Sequence, residues 1–336
     1  MKALVTGATG YIGRHLVEAL RRRGDIVCIV ARDPGRASAL ERLGCEVHCA
    51  DFGAVETADL SHLAEGMEVV FHLVSAMYGP PERFERVDVQ GTQRLLEAAV
   101  QARVRRFVYV STIASYPLAR LQHGAVIDER CPFDESGLLG PYPRAKVRSE
   151  QAVLAANGRG GLECVIVRLG QVCGAGYNVF LPHVCQRIGA NRVILFGRGD
   201  VPLPLVHIDN AVDALVRAAE APGIAGESFN IVDDERITQR EYLKLLQETT
   251  GGAPRVVRLP RFAYYATGAL AEVAAAARGK EPATNRYRVR TRLRHVHWDC
   301  SKAKRLLEWT PRAPLRDGLR AAFRDYGGQP SGGARP

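Results

Sequence analysis

Three features of the 336-residue chain predict an α/β protein whose parallel sheet is covered by helices on both faces. The first 170 residues alternate short apolar runs with segments of helical periodicity, which is typical of parallel sheets. The runs are almost continuously apolar, so both faces of each strand are expected to be buried. A glycine-rich turn joins the first run to the first helical segment. Together these features predict a Rossmann-type, doubly wound fold.

The first half of the chain contains six predicted strands and five predicted helices. The strands are placed at Lys2–Thr6, Ile26–Ala31, Glu46–Ala50, Val69–Leu73, Phe107–Val110 and Cys164–Arg168. The helices are expected at about 11–23, 34–43, 57–65, 82–102 and 143–157. Beyond Arg168 we expect strands at Leu205–Ile208 and Phe229–Val232, separated by a helix at Asn210–Ala221. Four more helices are predicted near 238–250, 262–277, 301–308 and 315–326.

Composition and charge exclude several classes of protein. With 46% hydrophobic and 24% charged residues, the chain is neither disordered, collagen-like nor a coiled coil. No apolar run is long enough to cross a bilayer, and no signal-peptide pattern is visible, so we expect a cytoplasmic protein without an integral membrane span. The eight cysteines form no Cys-x-x-Cys pair, which predicts reduced thiols and no metal site. The chain has a net charge of +10, but its sequence shows no basic helix aligned for a nucleic-acid groove. This favours an anionic small molecule as partner.

The glycine-rich turn predicts a dinucleotide site. Gly7 permits a tight turn, Gly10 lets backbone N–H groups approach a pyrophosphate, and Gly13 lets the following helix pack on the sheet. The helix N-terminus adds partial positive charge. The candidate cofactor-binding residues of the turn are Gly7, Thr9, Gly10, Tyr11, Ile12 and Gly13.

The end of the second predicted strand favours NADP over NAD. An Asp or Glu at this point would bind the ribose of NAD, whereas this chain continues with Arg32, Asp33 and then Arg36. Arg32, with Arg36 as a further candidate, can pair with a 2′-phosphate, while Asp33 keeps NAD open. An ordinary solvated turn is the alternative. Further candidates for lining the cofactor follow the third and fourth strands: Asp51, Phe52, Leu73, Val74 and Ser75.

A tyrosine and a lysine provide the chemistry for hydride transfer. Tyr142 and Lys146 are four residues apart at the start of a predicted helix and so share one face of it. Ser111 and Thr112 end the fifth strand, at the sheet edge where ligands bind in such folds. Oxidation of a secondary alcohol needs a base for its proton while a nicotinamide accepts the hydride. We therefore expect Lys146 and the oxidised nicotinamide to lower the pKa of the Tyr142 phenol, with Thr112, or Ser111 as backup, holding the substrate oxygen.

These motifs resemble those of the extended short-chain dehydrogenase/reductases, the NAD-dependent epimerase/dehydratase family. The residues that carry the resemblance are Thr6–Gly13, Asp51-Phe52, Phe71–Ala76, Gly91-Thr92, Tyr109–Thr112, Tyr142-x-x-x-Lys146 and Val206–Asp209. The resemblance implies NAD(P)-dependent catalysis by Tyr, Lys and Ser or Thr, with Thr112 at the family's hydroxyl position and Lys146 also near the cofactor. It also implies a smaller C-terminal substrate domain and, frequently, a homodimer formed through two long helices.

The domain boundaries expected from these elements divide the chain into two parts. Residues 1–170 are assigned to the NAD(P)-binding domain, to which 205–232 return. Residues 171–204 and 233–326 are assigned to the substrate domain, and the tail 327–336 is expected to be disordered.

Departures from the family pattern narrow the function. Leu169 and Cys173 stand where the family usually has Pro and Tyr, and Asp88 stands where an Asn is common. The segment Pro202-Leu-Pro-Leu205 lacks the Arg with which sugar-nucleotide epimerases bind the substrate diphosphate. The chain is accordingly more similar to the 3β-hydroxysteroid dehydrogenase and dihydroflavonol reductase branch.

Two other segments leave alternatives open. Arginines occupy every second position from 286 to 294. On a strand, their five guanidinium groups would lie on one face. They would then either bind an anion or form a solvated edge of the sheet. The helix at 262–277 could line an apolar pocket or touch a membrane surface, with ordinary core packing favoured.

Three functions follow from these observations. The first is an NADP-preferring oxidoreductase that interconverts a ketone and a secondary alcohol on a small non-nucleotide substrate. The alternative is a sugar-nucleotide epimerase or dehydratase with tightly bound NAD, in which the arginine strand replaces the missing anchor. The third is a non-catalytic binding protein on the same scaffold.

Overall fold

The computed structural model describes residues 1–53, 60–181, 184–189, 191–279, 281–282 and 284–327. Its strands are β1 (Lys2–Thr6), β2 (Ile26–Ala31), β3 (Glu46–Cys49), β4 (Val69–His72), β5 (Arg106–Thr112), β6 (Ala125–Ile127), β7 (Glu163–Leu169), β8 (Gln171–Cys173), β9 (Gln186–Ile188), β10 (Arg192–Phe196), β11 (Pro202–Leu203), β12 (Leu205–His207), β13 (Ser228–Ile231), β14 (Ile237–Thr238), β15 (Arg255–Leu259) and β16 (Val296–Trp298). Its α-helices are α1 (Tyr11–Arg22), α2 (Ser38–Glu41), α3 (Ser61–Ala64), α4 (Pro81–Phe84), α5 (Gly91–Gln101), α6 (Pro141–Ala156), α7 (Ile208–Glu220), α8 (Gln239–Thr249), α9 (Arg261–Ala276), α10 (Arg286–Arg292), α11 (Ser301–Leu306) and α12 (Leu315–Gly327).

The predicted fold class is confirmed by the central sheet. Seven parallel strands lie in the order β13-β7-β5-β4-β1-β2-β3. The chain first builds the sheet from β1 through β2 to β3 at one edge. It then crosses back to β4, on the other side of β1, and continues through β5 and β7 to β13 at the opposite edge. The order therefore reverses between β1 and β4, which is where ligands bind in doubly wound sheets. In register, Thr6 of β1 is opposite both Val30 and His72.

Both faces of the sheet are covered, as the continuous apolar runs predict. Successive residues of β1 enter different cores, because side chains alternate along a strand: Val5 packs into one core and Leu4 into the other. On the first face, α1 and α7 pack together over the sheet. On the second face, α3, α5 and α6 form the layer. The strand segment 228–231 joins the edge of this sheet, next to β7.

The C-terminal part has a separate apolar core beside small sheets. The strands β9, β10 and β15 form one three-stranded sheet, and β11 pairs with β14. Leu203, Tyr242, Leu246 and Phe323 are fully or almost fully buried in this core. The proposed division into two domains agrees with this arrangement and stays a prediction. Among the described residues, no helix is both long and apolar enough to cross a membrane.

The predicted arginine strand at 286–294 is wrong, because this segment forms the helix α10. The side chain of Asn285 accepts a hydrogen bond from the Arg288 amide at 2.7 Å and so caps the N-terminus of the helix. Val289 and Leu293 are four residues apart and both are buried, against Phe196 among others. This helical spacing of two apolar side chains outweighs the alternation of the arginines.

Two other segments differ from expectation. The helix predicted over 82–102 is observed as α4, a π-helical turn at Glu85–Gln90, and α5. Of the helix predicted at 57–65, residues 57–59 lie outside the described residues, and α3 covers Ser61–Ala64. The predicted disordered tail also lies outside them, apart from its first residue.

A buried ion pair fastens α6 to the sheet. Nη2 of Arg168 on β7 lies 2.7 Å from Oε2 of Glu150 on α6, and both side chains are at least 95% buried. Nη1 of Arg168 also donates to the Tyr116 hydroxyl at 2.9 Å. Because an unpaired charge inside a protein is costly, each partner requires the other at this place.

We expect Glu150→Ala to destabilise the protein by about 3 to 5 kcal/mol, because it leaves the Arg168 guanidinium buried without its carboxylate. The measurement is equilibrium unfolding in urea. The matched control is Glu85→Ala, which removes the exposed pair that Arg148 of the same helix makes, and should cost about 1 kcal/mol or less. Equal losses in the two variants would contradict the role given to the buried pair.

Candidate active site

The turn between β1 and α1 is tight at each of its three glycines. Gly7 has a positive φ of 74°, and a Cβ there would lie 2.9 Å from the carbonyl carbon of Leu73. A Cβ on Gly13 would lie 2.2 Å from the carbonyl oxygen of Gly7, so any side chain would push α1 away from the turn. The three roles expected of Gly7, Gly10 and Gly13 are thus compatible with the geometry.

The N-terminus of α1 suits an anionic ligand. Gly10 is the N-cap residue and carries no side chain to satisfy the amides of the first turn. These amides, with those of Thr9 and Ile12, lie at the reversal point of the strand order. The backbone here fits the pyrophosphate of a dinucleotide.

The side chain of Tyr11 has a different partner. Its hydroxyl donates to the carbonyl of Ala175 at 3.0 Å, and its ring lies 4.6 Å from the ring of Tyr177. The side chain therefore joins the phosphate turn to the segment after β8. A contact of Tyr11 with the cofactor would be made by its backbone, and it stays a prediction.

The turn after β2 presents two arginines and one aspartate to solvent. Asp33 caps a short 3₁₀ helix, its Oδ1 accepting from the Gly35 amide at 2.9 Å. Asp33, Arg32 and Arg36 are all exposed. One carboxylate oxygen is thus engaged locally, while the positive charges outnumber the negative one at this turn.

The candidates after β3 and β4 have three kinds of surroundings. Asp51 is exposed, and its Oδ1 accepts from the Gly53 amide at 2.9 Å. The Phe52 side chain is buried, with its ring centre 5.5 Å from that of His72, and so packs in the core under the site. The backbones of Leu73 and Val74 pack against Gly7. Among the described residues, the backbones of Leu73 and Val74 thus lie beside the phosphate turn.

Asp88 organises the loop after β4. Its carboxylate accepts from the Ser75 hydroxyl at 2.5 Å and from the Ala76 amide at 2.9 Å. It lies in the π-helical turn, and its carbonyl accepts from the Ser149 hydroxyl of α6 at 2.9 Å. The sequence singles out Asp88 only as a departure from a family pattern. In the structure it connects the loop after β4 to α6.

Lys146 is buried beneath the end of β5. Its Nζ donates to the carbonyl of Val110 at 3.0 Å and to the hydroxyl of Tyr109 at 3.2 Å. The ammonium also lies 4.7 Å from the centre of the Tyr109 ring. Sequence reasoning does not identify Tyr109 as this partner, because nothing in the spacing of the two residues indicates contact.

Tyr142, Lys146 and Thr112 converge at the carboxyl end of β5. The Thr112 hydroxyl lies close enough to the Tyr142 phenol to lower its pKa. Thr112 Oγ1 accepts from the Ala114 amide at 3.1 Å, which leaves the hydroxyl proton free to be donated. The Ser111 hydroxyl is buried and has no hydrogen-bond partner among the described residues. A polar ligand at this edge would satisfy it.

The direction of the phenol's pKa differs from the expectation. Burial raises the pKa of Tyr142 above its ordinary value, although the Lys146 ammonium and the hydrogen bond with Thr112 lower it. The negative Asp88 opposes Lys146. Without cofactor, the phenol is therefore protonated at neutral pH, which is the form of a proton donor.

His72 contributes no charge to the site. Its ring nitrogens lie 2.6 Å from the Thr6 hydroxyl and 3.0 Å from the Thr92 hydroxyl, deep in the sheet. Burial, with Lys146 nearby, lowers the pKa of His72 to about 3. The neutral ring ties β1, β4 and α5 together.

The five arginines at 286–294 do not form an anion grip. Arg286 pairs with Glu272, while the other contacts of these guanidinium groups are with Leu138, Pro282, Tyr264 and Ala119. Three of the four arginines in α10, and Arg294 just beyond it, are thus engaged, and the proposed substitute for the missing diphosphate anchor is lost.

One group of metal-ligand types was not expected from the sequence. Cys28, Glu46 and His48 offer ligand atoms within 4.8 Å of one another on β2 and β3. Burial, and the neighbouring Glu46, raise the pKa of the Cys28 thiol to about 11. A protonated thiol is a poor metal ligand, and we assign no metal to this group.

Comparison with known proteins agrees with this fold. Residues 3–231 match the NAD dependent epimerase/dehydratase family. The fold and the site define an NAD-dependent enzyme of the extended short-chain dehydrogenase/reductase type. The chain belongs to the NAD-dependent epimerase/dehydratase family.

Curated relatives align over almost the whole chain. A 4-hydroxy-2-methyl-3-oxo-4-farnesyl-3,4-dihydroquinoline-1-oxide ketoreductase of Stigmatella aurantiaca is 34% identical, over 96% of this chain and 95% of its own length. A 2-alkyl-3-oxoalkanoate reductase of Stenotrophomonas maltophilia is 30% identical, over 95% and 98%. A 3beta-hydroxysteroid-dehydrogenase/decarboxylase of Arabidopsis thaliana is 28% identical, over 96% and 79%.

Solved structures share the fold. A UDP-glucuronic acid 4-epimerase from Bacillus cereus, in complex with NAD, aligns with a TM-score of 0.74 at 23% identity, over 97% of this chain and 98% of that one. A UDP-glucose 4-epimerase from Thermotoga maritima aligns with a TM-score of 0.75 at 22% identity, over 97% and 98%. At these identities the likeness concerns the fold alone.

We expect Lys146→Met to raise the pKa of Tyr142 further, because it removes the cation that stabilises the phenolate. The measurement is a pH titration followed by NMR of protein labelled with ¹³C at tyrosine Cζ. Lys244→Met, on the exposed surface of α8, is the control and should leave the Tyr142 resonance unchanged. A lower or unchanged pKa in Lys146→Met would contradict the electrostatic role given to Lys146.

Proposed function

We propose that the protein is an NADP-preferring reductase that converts a ketone of a small, largely apolar, non-nucleotide substrate to a secondary alcohol. The observation that carries this proposal is the meeting of Tyr142, Lys146 and Thr112 at the end of β5, where Lys146 Nζ donates to the carbonyl of Val110. A protonated phenol suits reduction, in which the carbonyl oxygen must gain a proton.

The residues of the chain have separate tasks in this reaction. When bound, the nicotinamide cofactor supplies the hydride. Thr112 donates its free hydroxyl proton in a hydrogen bond to the carbonyl oxygen and so fixes the substrate beside Tyr142. Tyr142 transfers its proton to that oxygen. Lys146, held by Val110 and Tyr109, stabilises the phenolate that remains.

An apolar substrate is supported by two observations. Met77 and Tyr78 follow the cofactor-lining loop directly and are 58% and 74% exposed, although they are large and mostly apolar. The ketoreductase and the two further relatives act, by their names, on farnesylated, alkyl or steroid compounds. An exposed apolar rim beside a reactive site is typical of a site that covers an apolar ligand.

The preference for NADP is supported by the turn after β2. Arg32 and Arg36 are exposed and outnumber Asp33, whose Oδ1 already accepts from the Gly35 amide. A guanidinium group pairs well with a 2′-phosphate. A free carboxylate there would instead favour the unphosphorylated ribose of NAD.

The sugar-nucleotide epimerase is the second candidate. It is favoured by the shared fold of the UDP-sugar enzymes. Against it stand the missing arginine before β12 and the engagement of four of the five arginines at 286–294. The two candidates differ in turnover, because a reductase consumes added NADPH with a ketone, whereas an epimerase retains its NAD and shows no net redox change.

Two expectations about the setting of the enzyme stay predictions. We propose a homodimer formed through helices of the nucleotide-binding part, and a cytoplasmic location. Light scattering after gel filtration measures the first, and fractionation of cells measures the second.

We expect Tyr142→Phe to lower kcat/KM for ketone reduction by about a thousandfold or more, because general acid catalysis contributes about 10² to 10⁴ in rate. NADPH affinity should change little, since the phenol acts on the substrate. Tyr326→Phe on α12 is the control and should keep full activity. An unchanged kcat/KM in Tyr142→Phe would contradict the role of Tyr142 as proton donor. A protein without reductase activity whose biological activity survives Tyr142→Phe would favour a non-catalytic binding protein.

We expect Arg32→Ser to raise the KM for NADPH about tenfold or more and to leave the KM for NADH almost unchanged, because only NADPH carries the 2′-phosphate. Steady-state kinetics with both cofactors measure this. Arg42→Ser removes an equally exposed arginine ten residues further on and is the control. Equal changes in the KM values for NADPH and NADH would contradict the proposed preference for NADP.

A further inference from the structure

The outward face of α9 is apolar along its whole length. Phe262, Leu270 and Val273 are 75%, 70% and 70% exposed, and Tyr265 is also exposed on the same side. These residues recur three to five positions apart and thus form one stripe, which we call the α9 stripe. Core packing, the favoured expectation for this helix, is therefore wrong for this face, although Tyr264 and Gly268 on the other face are buried.

Such exposure is concentrated in this part of the surface. Of the fourteen exposed large hydrophobic side chains among the described residues, five lie between Val257 and Val273. Singly exposed apolar residues are ordinary, but a contiguous patch marks a surface that meets something apolar.

The chain around the stripe holds most of the protein's excess charge. Residues 255–294 contain ten basic and two acidic residues, a net charge of +8, whereas the whole chain carries +10. Both acidic residues are paired: Glu272 with Arg286 at 2.8 Å, and Glu281 with Arg144 at 2.9 Å. Of the basic residues, Arg261 is paired with Asp200 at 3.0 Å. Arg258, Arg278 and Arg290 are exposed. The apolar stripe thus lies in a strongly positive surface.

We propose that the α9 stripe and the arginines around it dock the protein on an anionic lipid bilayer. A surface helix with apolar side chains outward and basic residues beside them lies at the boundary between headgroups and acyl chains, where both kinds of group are satisfied. Arginines gain further from the negative potential of anionic lipids. A second copy of this chain fits the patch poorly, because it would bring two segments of net charge +8 together.

The docking surface lies next to the chain that leads into the catalytic helix. Asn285 Nδ2 and Arg288 Nε donate to the carbonyl of Leu138 at 2.9 and 3.1 Å. The Arg288 guanidinium also lies against Gly140, the N-cap residue of α6. α10, which packs on α9, therefore connects the stripe to the segment just before Tyr142. This arrangement would place the site close to the source of an apolar substrate.

The apolar part of the proposal is tested by co-sedimentation of the full chain with vesicles of equal parts phosphatidylcholine and phosphatidylglycerol. The double variant Leu270→Gln/Val273→Gln should bind about tenfold less tightly or weaker, because two large side chains no longer gain from leaving water. The matched control is Ile26→Gln/Val126→Gln, which changes two side chains of similar exposure elsewhere, at 59% and 67%. The control should bind as the parent protein does.

The electrostatic part is tested with the same vesicles. Arg278→Ser and Arg290→Ser should each weaken binding about fivefold, since one basic residue near an anionic surface contributes about 1 kcal/mol. Raised salt should weaken binding as well, and vesicles of phosphatidylcholine alone should bind poorly. Arg42→Ser should change little.

Three results would overturn the proposal. The first is no binding of the parent protein to anionic vesicles. The second is an equal loss in the Leu270/Val273 variant and in its control. The third is a Leu270/Val273 variant that binds vesicles normally but changes its oligomeric state in light scattering, which would assign the stripe to a second copy. Circular dichroism checks that each variant is folded. NADPH consumption with a water-soluble ketone, measured without vesicles, reports the proposed reductase separately.

Discussion

The arrangement of the site depends on how α6 is fastened to the sheet. The buried pair of Glu150 and Arg168 fixes the helix against β7, because neither charge tolerates burial alone. The Ser149 hydroxyl fixes it against the π-helical turn through the carbonyl of Asp88. Lys146 lies one turn before Glu150 on the same helix and is thereby brought to the carbonyl of Val110. Glu150, which fixes the helix to the sheet, and Lys146, which takes part in the proposed reaction, are thus one helical turn apart.

Opposing electrostatic effects then decide the state of the phenol. Burial disfavours the phenolate, Lys146 favours it, and Asp88 works against Lys146. The balance keeps Tyr142 protonated in the absence of cofactor, while the lysine remains in place to stabilise the phenolate once the proton has left. Neutral His72 adds no charge to this balance, since burial lowers its pKa to about 3. A site of this kind is prepared to protonate a carbonyl oxygen.

The arginines of the chain serve three different purposes. Arg168 is structural, and Arg32 and Arg36 are exposed after β2, where we propose that they meet the adenosine end of a dinucleotide. The arginines at 286–294 mostly hold this segment to its neighbours, so their alternation along the chain has no counterpart in space. Arg290, by contrast, is exposed on α10, the helix that packs on α9. Net charge alone therefore says little about what a basic segment binds.

The sequence by itself determined the parallel sheet, the phosphate turn and the Tyr142/Lys146 pair, because strand hydrophobicity, glycine conformation and helical spacing are local properties. It misassigned α10, where alternating arginines concealed Val289 and Leu293, the two residues that pack. The direction of the Tyr142 pKa, the Tyr109 contact and the exposure of the α9 stripe were decided by tertiary structure only. Burial and long-range contact depend on residues far away in the chain, and a local pattern does not contain them.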